Sequence, residues 1–555
     1  MKFTEMKYER MDTEVLVTKA NELIEKIKQA KSGEEVFAIH KEYYDLSNDF
    51  MTNYTLAHIR HDIDTTDEFY DKENEFYDEA LPVISNTLNE YQRALYESPF
   101  RAELEDKIGK VVFKNIELAL KSMDEKLIPL MQEENALTSK YAKLLASAKI
   151  PFDGEIYNLS LMTKFTTSQD RAVRRRAYEA MSKFFTDNQV ELDQIYDQLV
   201  KNRTEQARQM GYDNFVELGY YRMNRNCYDK SMVENFRKQI KTYMVPYVER
   251  LQEERRKKIE LDHLTFVDNG IFFTEGNPKP TGTPEEILQD GQSMYSELSP
   301  ETKEFFDFMS ENELFDVFGR KTKKTGGYMT YLPNYKAPFI FANFNGTSGD
   351  VDVITHECGH AFQGYLMRDD EIQEHADITM ETAEIHSMSM EYFTYQWMER
   401  FFGDRANDYR FMHKLDAAIF IPYGCMVDEF QHIVYENPEM TPEERRQTWL
   451  RLEKEYRPSM DYDGLPFYSE GGLWQRQAHI YESPFYYIDY CLASICAMQF
   501  KVMMDQDFKL AWDRYLKLCK MGASGFYVDM IKEVGLNSPF EDGCVEDLIQ
   551  KFDQK

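Results

Sequence analysis

From its first residue to about residue 260 the sequence keeps one period. Apolar residues recur three and four apart among Glu and Lys, as in "ALTSKYAKLLASA" and "RAVRRRAYEAMSKFF", which is the pattern of amphipathic helices. A chain so patterned is mainly α. "IPFDGEIYNLS" (150–160), with Pro, Gly and alternating apolar residues, predicts a hairpin or irregular crossover, and "VDNGIFFTEGNPKPTGTPEE" (267–286) predicts a surface loop. One stretch reads as β: "GGYMTYLPNYKAPFIFANFNGTSGD" (326–350), aromatic and β-branched, broken by Gly, Asn and Pro. Pro338 within it predicts an edge strand, since proline lacks the N–H a central strand uses. Helix then resumes to the end. The expectation is a multi-helical protein with a small antiparallel sheet beside the segment "ITHECGHAF" (354–362). At 555 residues the chain exceeds what one core supports, so two lobes are expected.

Charge excludes one class of partner. With 98 acidic against 66 basic residues the net charge is −32, and no basic face is available to neutralise nucleic-acid phosphates. The runs "RRR" (174–176) and "RRKK" (255–258) lie in acidic helical sequence and read as solvated faces. The start, "MKFTEMKYER", lacks the apolar core of a secretion signal, and no run approaches the roughly 18 apolar residues of a membrane helix. Seven scattered cysteines form no CxxC pair and no disulfide framework. Together these predict a cytoplasmic protein with neither a membrane nor a nucleic acid as partner. No signal of oligomeric state is present.

In "ITHECGHAF" His356 and His360 stand four apart, so on a helix both imidazoles leave one face, a turn from each other. Two nitrogens about 2.0–2.1 Å from a zinc ion need such a spacing. H-E-x-x-H arises by chance only ~0.02 times in a chain of this histidine content; the competing reading is a pair of satisfied core histidines. A helix here is predicted to start with Thr347 as cap and Asp350 three residues on, and to bury a stripe of Val351, Ile354, Cys358, Ala361, Phe362 and Tyr365. Cys358 is then a small core residue facing away from the histidines. Gly359 costs roughly 1 kcal/mol inside a helix, which points to close approach of another element.

A catalytic zinc site takes a third protein ligand and keeps a fourth position open. The extension H-E-x-x-H-x-x-G-x-x-H fails, because Gln363 and Leu366 stand where its glycine and histidine belong. In "TMETAEIHSMSMEYFTYQWMERFFG" (379–403), a helix pattern with a glycine stop, Glu381, Glu384, Met388 and Glu391 share one face. Three carboxylates on a stripe otherwise of Met, Phe and Tyr need a reason, which zinc ligation by one and hydrogen bonds from the others supply. Spacing does not choose among the three, nor exclude His375 or His386, although His386 lies about 200° round the helix from Glu384.

These residues resemble a known family. "HECGHAF" followed by "ETAEIHSMSMEYF" is similar to the thimet-oligopeptidase group of zinc peptidases, and more closely to its oligoendopeptidase F branch. There H-E-x-G-H is followed about 25 residues later by a glutamate with Pro or His and then Ser after it. The resemblance implies His356 and His360 as ligands of one zinc ion per chain, Glu384 as the third, and Glu357 as general base. It extends to "HIYESPFYYIDY" (479–490), similar to the family's histidine and tyrosine block, which implies His479 and Tyr490 as oxyanion donors. The thimet-like branch has a Gly-Gly-Tyr step where this chain has "ESP", one residue shorter, so the substrate-touching tyrosine is Tyr486 or Tyr487. From the residues themselves, Ser483 and Pro484 predict a helix start, with Tyr486 and Tyr490 on one face; an aromatic core stripe is the competing reading. "YDGLPFYSEGGLW" (462–474) resembles flexible loops over the cleft, with glycine hinges.

The resemblance further implies a two-lobed α fold around a deep channel. Residues 1–200 would form a helical lobe covering it and residues 201–555 the catalytic lobe, acting as a zinc endopeptidase on short unfolded oligopeptides. In that scheme Glu357 moves the proton of a zinc-activated water to the leaving amine, and the strand near "APFIFANF" (337–344) pairs with substrate backbone. A zinc exopeptidase and a metal-bound peptide-binding protein without turnover are the alternatives.

Overall fold

Short polar side chains set where the helices begin. Ser32 accepts the Glu35 N–H, Asp170 the Ala172 N–H and Asp507 the Leu510 N–H, each satisfying a donor that the first helical turn leaves unpaired. The computed structural model describes residues 1–324 and 326–553. It is mainly α with two small sheets, as the periodicity predicts. In chain order the helices used below are α1 (Gly33–Ile63), α2 (Arg171–Gln209), α3 (Gly349–Met367), α4 (Met380–Phe393), α5 (Ala406–Glu436), α6 (Ala478–Glu482), α7 (Tyr487–Gln506) and α8 (Phe508–Met521). The strands are β1 (Ile150–Phe152), β2 (Glu155–Tyr157), β3 (Phe315–Phe318), β4 (Tyr328–Leu332) and β5 (Ala337–Phe344). Among the described residues no helix is long and apolar enough to cross a membrane.

The chain forms two compact units, each discontinuous in sequence. The first contains Met1–Leu120, Pro278–Asn407 and Cys496–Asn537; the second contains Lys121–Asn277, Asp408–Ile495 and the chain from Ser538 on. Residue 200 falls inside α2.

In the first unit the sheet has the order β3-β5-β4, with β4 antiparallel and β3 parallel to β5. The strand bearing Pro338 is therefore the central one, against expectation. The register explains why it is tolerated. Pairing with β3 begins at Ile340, whose N–H donates to the Leu314 carbonyl on the β3 side. Two residues earlier Pro338 turns its nitrogen to that same side, beyond the end of β3, so no ladder bond is lost. The same geometry leaves Met329, opposite Ile340, in a non-hydrogen-bonded pair, so its N–H and C=O face the free edge of β4, as do those of Tyr331.

In the second unit "IPFDGEIY" forms the predicted hairpin, β1 against β2, closed by Asp153 and Gly154 at φ 47° and 89°, the left-handed pair that a two-residue turn demands. The basic runs correct their reading as solvated faces. Arg174 and Arg255 are buried, and both hold the segment after residue 265. Asp268, wholly buried, accepts from Arg171 (2.7 Å), Arg174 (2.7 Å) and the Thr265 N–H (2.9 Å). Arg255 donates to the carbonyl of Asn269 at 3.0 Å. Held so, Ile271, Phe272 and Phe273 turn inward, and the predicted surface loop is buried over its first part.

Burial alone would raise the Asp268 pKa, but Arg171, the Thr265 N–H and Arg174 outweigh it and hold the carboxyl below the usual range. A depressed folded pKa contributes stability that is present above the unfolded value and is lost as pH falls. Asp268→Ala should therefore cost about 1–3 kcal/mol at pH 7, because the Thr265 N–H and buried Arg174 lose their carboxylate while Arg174 keeps its carbonyl partners. The measurement is the urea unfolding midpoint, and the gap from the unaltered chain should narrow as pH falls through about 4.

Candidate metal centre

The loop from β5 into α3 is held by one carboxylate. Asp350 accepts the N–H groups of Asn345 (2.8 Å) and Gly346 (2.7 Å). It therefore does not form the predicted box with Thr347, whose hydroxyl donates instead to Asn345 Oδ1 at 2.6 Å; Ser348 takes the cap position with no side-chain hydrogen bond. A carboxylate that satisfies two N–H groups at once displaces the weaker hydroxyl cap. Beyond it, Val351, Ile354, Cys358, Ala361, Phe362 and Tyr365 are all buried, as the stripe predicts.

Gly359 is where α3 meets α4. A Cβ there would lie 2.6 Å from Ser387 Cα and 2.7 Å from the His386 carbonyl oxygen, so only glycine allows this approach. The crossing brings the α4 carboxylates to the α3 histidines. Glu384 Oε2 lies 3.4 Å from His356 Nε2 and 3.7 Å from His360 Nε2, and one donor atom from each of His356, His360 and Glu384 lies within 4.8 Å of the others. Ligands of a tetrahedral zinc stand roughly 3.3 Å apart, given bonds of about 2.0–2.1 Å. The donor set and its spacing fit such an ion. On the far side of the His356 ring, Nδ1 meets Glu391 Oε1 at 2.6 Å, the carboxylate–histidine arrangement that orients a metal-binding imidazole. Ser387 donates to Glu384 Oε2 at 3.1 Å.

The electrostatics favour a cation here. Burial disfavours a charged His356, yet hydrogen bonds to Glu384 and Glu391 outweigh it and hold its pKa well above the usual 6.5. Glu384 is held low despite burial by His356 and His360. His360 is pushed down to about 4, first by burial, which keeps it the neutral ligand a metal needs. Glu357 goes the other way: burial raises its pKa, His356 opposes, and the charges of Glu384 and Glu391 add to the rise. The Met329 N–H, on the free edge of β4, lies against this carboxyl and favours its charged form.

The remaining histidines fall outside the group. His386 is fully buried beside Tyr515 of α8, whose hydroxyl donates to the His386 carbonyl at 2.8 Å, and burial pushes its pKa down to about 3. His375 Nδ1 meets Asp370 at 3.0 Å.

In the second unit His479 and the tyrosines form another group. His479 lies 5.6, 4.9 and 6.2 Å, ring to ring, from Tyr486, Tyr487 and Tyr490, and Tyr486 lies 4.8 Å from Tyr490. The helix does not start at Pro484. Ser483 ends α6, which contains His479; Phe485 is left-handed at φ 69°, and α7 begins at Tyr487. Buried Phe485 is held there, its N–H donating to Gln431 at 3.0 Å and its carbonyl accepting from Arg225. Two residues missed by sequence reasoning join the group: Gln477 Nε2 is 3.0 Å from His479 Nδ1, and the Tyr423 hydroxyl donates to Gln477 Oε1 at 3.0 Å. Glutamine before a histidine carries no recognisable spacing, so no sequence signal was available. Two of the glycines of 462–474 serve packing, since a Cβ on Gly471 would lie 2.4 Å from the Arg446 carbonyl oxygen and one on Gly472 2.5 Å from the Phe467 ring, whereas Gly464, at φ 68°, faces open space; Leu465, Phe467 and Trp474 are fully buried.

Comparison with known proteins agrees with this fold. Residues 3–123 match the peptidase M3 N-terminal domain, and residues 164–270 and 299–548 match peptidase family M3. Oligopeptidase PepF of Bacillus subtilis is 24% identical over 554 residues, 90% of this chain and 79% of that one. An oligoendopeptidase F homolog of Borreliella burgdorferi is 22% identical over 549 residues, 92% and 90% of the two chains. A solved structure of PZ peptidase A with an inhibitor is 48% identical with a TM-score of 0.94, covering 100% of this chain and 98% of that one. The chain belongs to peptidase family M3, in its oligoendopeptidase F branch, and is a metallopeptidase by membership.

Two substitutions test the geometry. Gly359→Ala should force α3 and α4 apart and lower metal affinity at least ~10-fold, and Glu391→Gln, which removes the carboxylate behind His356, should cost about 10–100-fold. Competition with a chromophoric chelator measures both.

Proposed function

We propose that the chain is a zinc endopeptidase that cleaves internal bonds of short unfolded oligopeptides, with one zinc ion held by His356, His360 and Glu384. The observation that carries this reading is the convergence of those donors on one point, with Glu357 between the two histidines on the same helix. Zinc, when bound there, acts as a Lewis acid that polarises the scissile carbonyl and acidifies water.

The chain's own residues do the rest. Glu357 accepts the proton of the attacking water and gives it to the leaving amine; a carboxyl whose pKa is raised from the usual range suits both halves of that exchange. Glu391 holds the proton on His356 Nδ1 and so turns Nε2 toward ligation. The free edge of β4, with the outward N–H and C=O of Tyr331, is the surface for substrate backbone; β5, named for this role from sequence, has both sides occupied. His479 and Tyr490 as oxyanion donors, and Tyr486 or Tyr487 as a substrate contact, enter on the family resemblance and on their grouping in one cluster. The restriction to short peptides, the covering role of residues 1–200 and a cytoplasmic setting belong to the same proposal.

The test is an end-blocked, internally quenched peptide, which an exopeptidase leaves intact. Cleavage should stop with a chelator and return with zinc. Glu357→Gln should keep the metal and lose at least ~10³-fold in kcat. Wild-type turnover by that variant would remove Glu357 as base, and an uncut blocked peptide would remove the endopeptidase reading.

A further inference from the structure

We infer that Gln477 is a positioning residue, which holds His479 as the neutral tautomer protonated on Nε2. The inference rests on the proposed role of His479 as an oxyanion donor, because only a nitrogen that carries hydrogen can donate.

A glutamine amide has one acceptor oxygen and a donor NH₂ group. The oxygen of Gln477 is taken by the Tyr423 hydroxyl at 3.0 Å. That hydroxyl keeps its proton, since burial and the neighbouring Tyr487 hold its pKa above the usual value. Gln477 therefore offers N–H to His479 Nδ1, 3.0 Å away, and the same amide engages Tyr487. An Nδ1 that accepts leaves the ring proton on Nε2. The glutamine backbone is fixed as well: its N–H donates to Trp474 and its carbonyl accepts from Ile480, both at 3.0 Å.

Among the described residues, the groups placed against His479 are Gln477 and the rings of Tyr486, Tyr487 and Tyr490. None is a carboxylate, and burial lowers the His479 pKa, so the ring is neutral at neutral pH. The contrast with His356 is chemical. A carboxylate behind an imidazole, as Glu391 is, accepts a hydrogen bond from Nδ1–H, keeps the proton there and leaves Nε2 an electron-pair donor fit for a metal. An amide that donates to Nδ1 does the reverse and makes Nε2 a hydrogen-bond donor. Two histidines of one chain are thus set to opposite tasks by what stands behind them.

The experiment uses the full-length, zinc-loaded chain and the quenched peptide. His479→Ala should lower kcat about 10²–10³-fold, the usual effect of losing one oxyanion donor. Gln477→Leu frees the tautomer and should lower kcat about 10-fold with KM within about twofold, and that loss should vanish in the His479→Ala background. Gln477→Glu should accept a hydrogen bond from Nδ1–H and so hold the proton on Nδ1. Its kcat should then approach wild type only at acid pH, where the ring carries both protons, and fall as pH rises. ¹⁵N spectra of histidine-labelled protein should place the His479 proton on Nε2 in the unaltered chain and on Nδ1 in Gln477→Glu. A wild-type ¹⁵N pattern with the proton on Nδ1 overturns the inference. So does Gln477→Leu with wild-type kcat while His479→Ala is impaired, or a Gln477→Leu loss that persists undiminished without His479. Should His479→Ala keep wild-type kcat, the oxyanion role falls, and the ¹⁵N pattern alone decides the tautomer.

Discussion

The centre depends on one contact between two backbones. At Gly359 the bare Cα of α3 rests against the His386 carbonyl and Ser387 of α4, closer than two helices with side chains at their crossing can come. Carboxylate side chains are short, so their reach is set by the distance between helix axes. At this separation Glu384 spans the gap to both histidines, and Glu391, two turns further along α4, meets the first histidine from behind. Tyr515 holds the same point from the other side through the His386 carbonyl, so the crossing is braced rather than merely permitted.

Gathering carboxylates in a buried place is costly unless each has a partner. Here the cost is divided unequally. Glu384 and Glu391 are matched to His356, which with His360 holds the Glu384 carboxyl low, while Glu357, one residue along α3, is pushed toward its neutral form by burial first and by the charges of both second. Groups of one chemical kind are thereby separated into different roles by position alone. The Met329 N–H tempers that push, which makes the sheet edge part of the electrostatics of the helix beside it.

Much of this was legible in the sequence, and what was not shares a cause. Helical periodicity, the hairpin at Asp153-Gly154, the apolar stripe of α3 and the close approach at Gly359 are local or follow from one helix face, and each appears as read. The three carboxylates of α4 were legible as a face; which of them meets the histidines was not, because that depends on where the helices cross, and the family resemblance singled out Glu384. Pro338 reads as an edge residue until the register of a strand twenty residues earlier is known. Arg174 and Arg255 read as solvated until Asp268 and the carbonyls after it are seen to bury them. Ser483 reads as a helix start, yet Arg225 and Gln431, distant in sequence, hold Phe485 in a left-handed turn that delays it. In each case a partner far along the chain overrides a sound local preference.

All the metal donors, the carboxylate behind His356 and the glutamate between the histidines lie in the first unit. On the proposed assignment, the metal a preparation retains reports on the fold of that unit. On the proposed function, metal content and catalytic competence are therefore separate quantities, and a fully loaded sample need not be an active one.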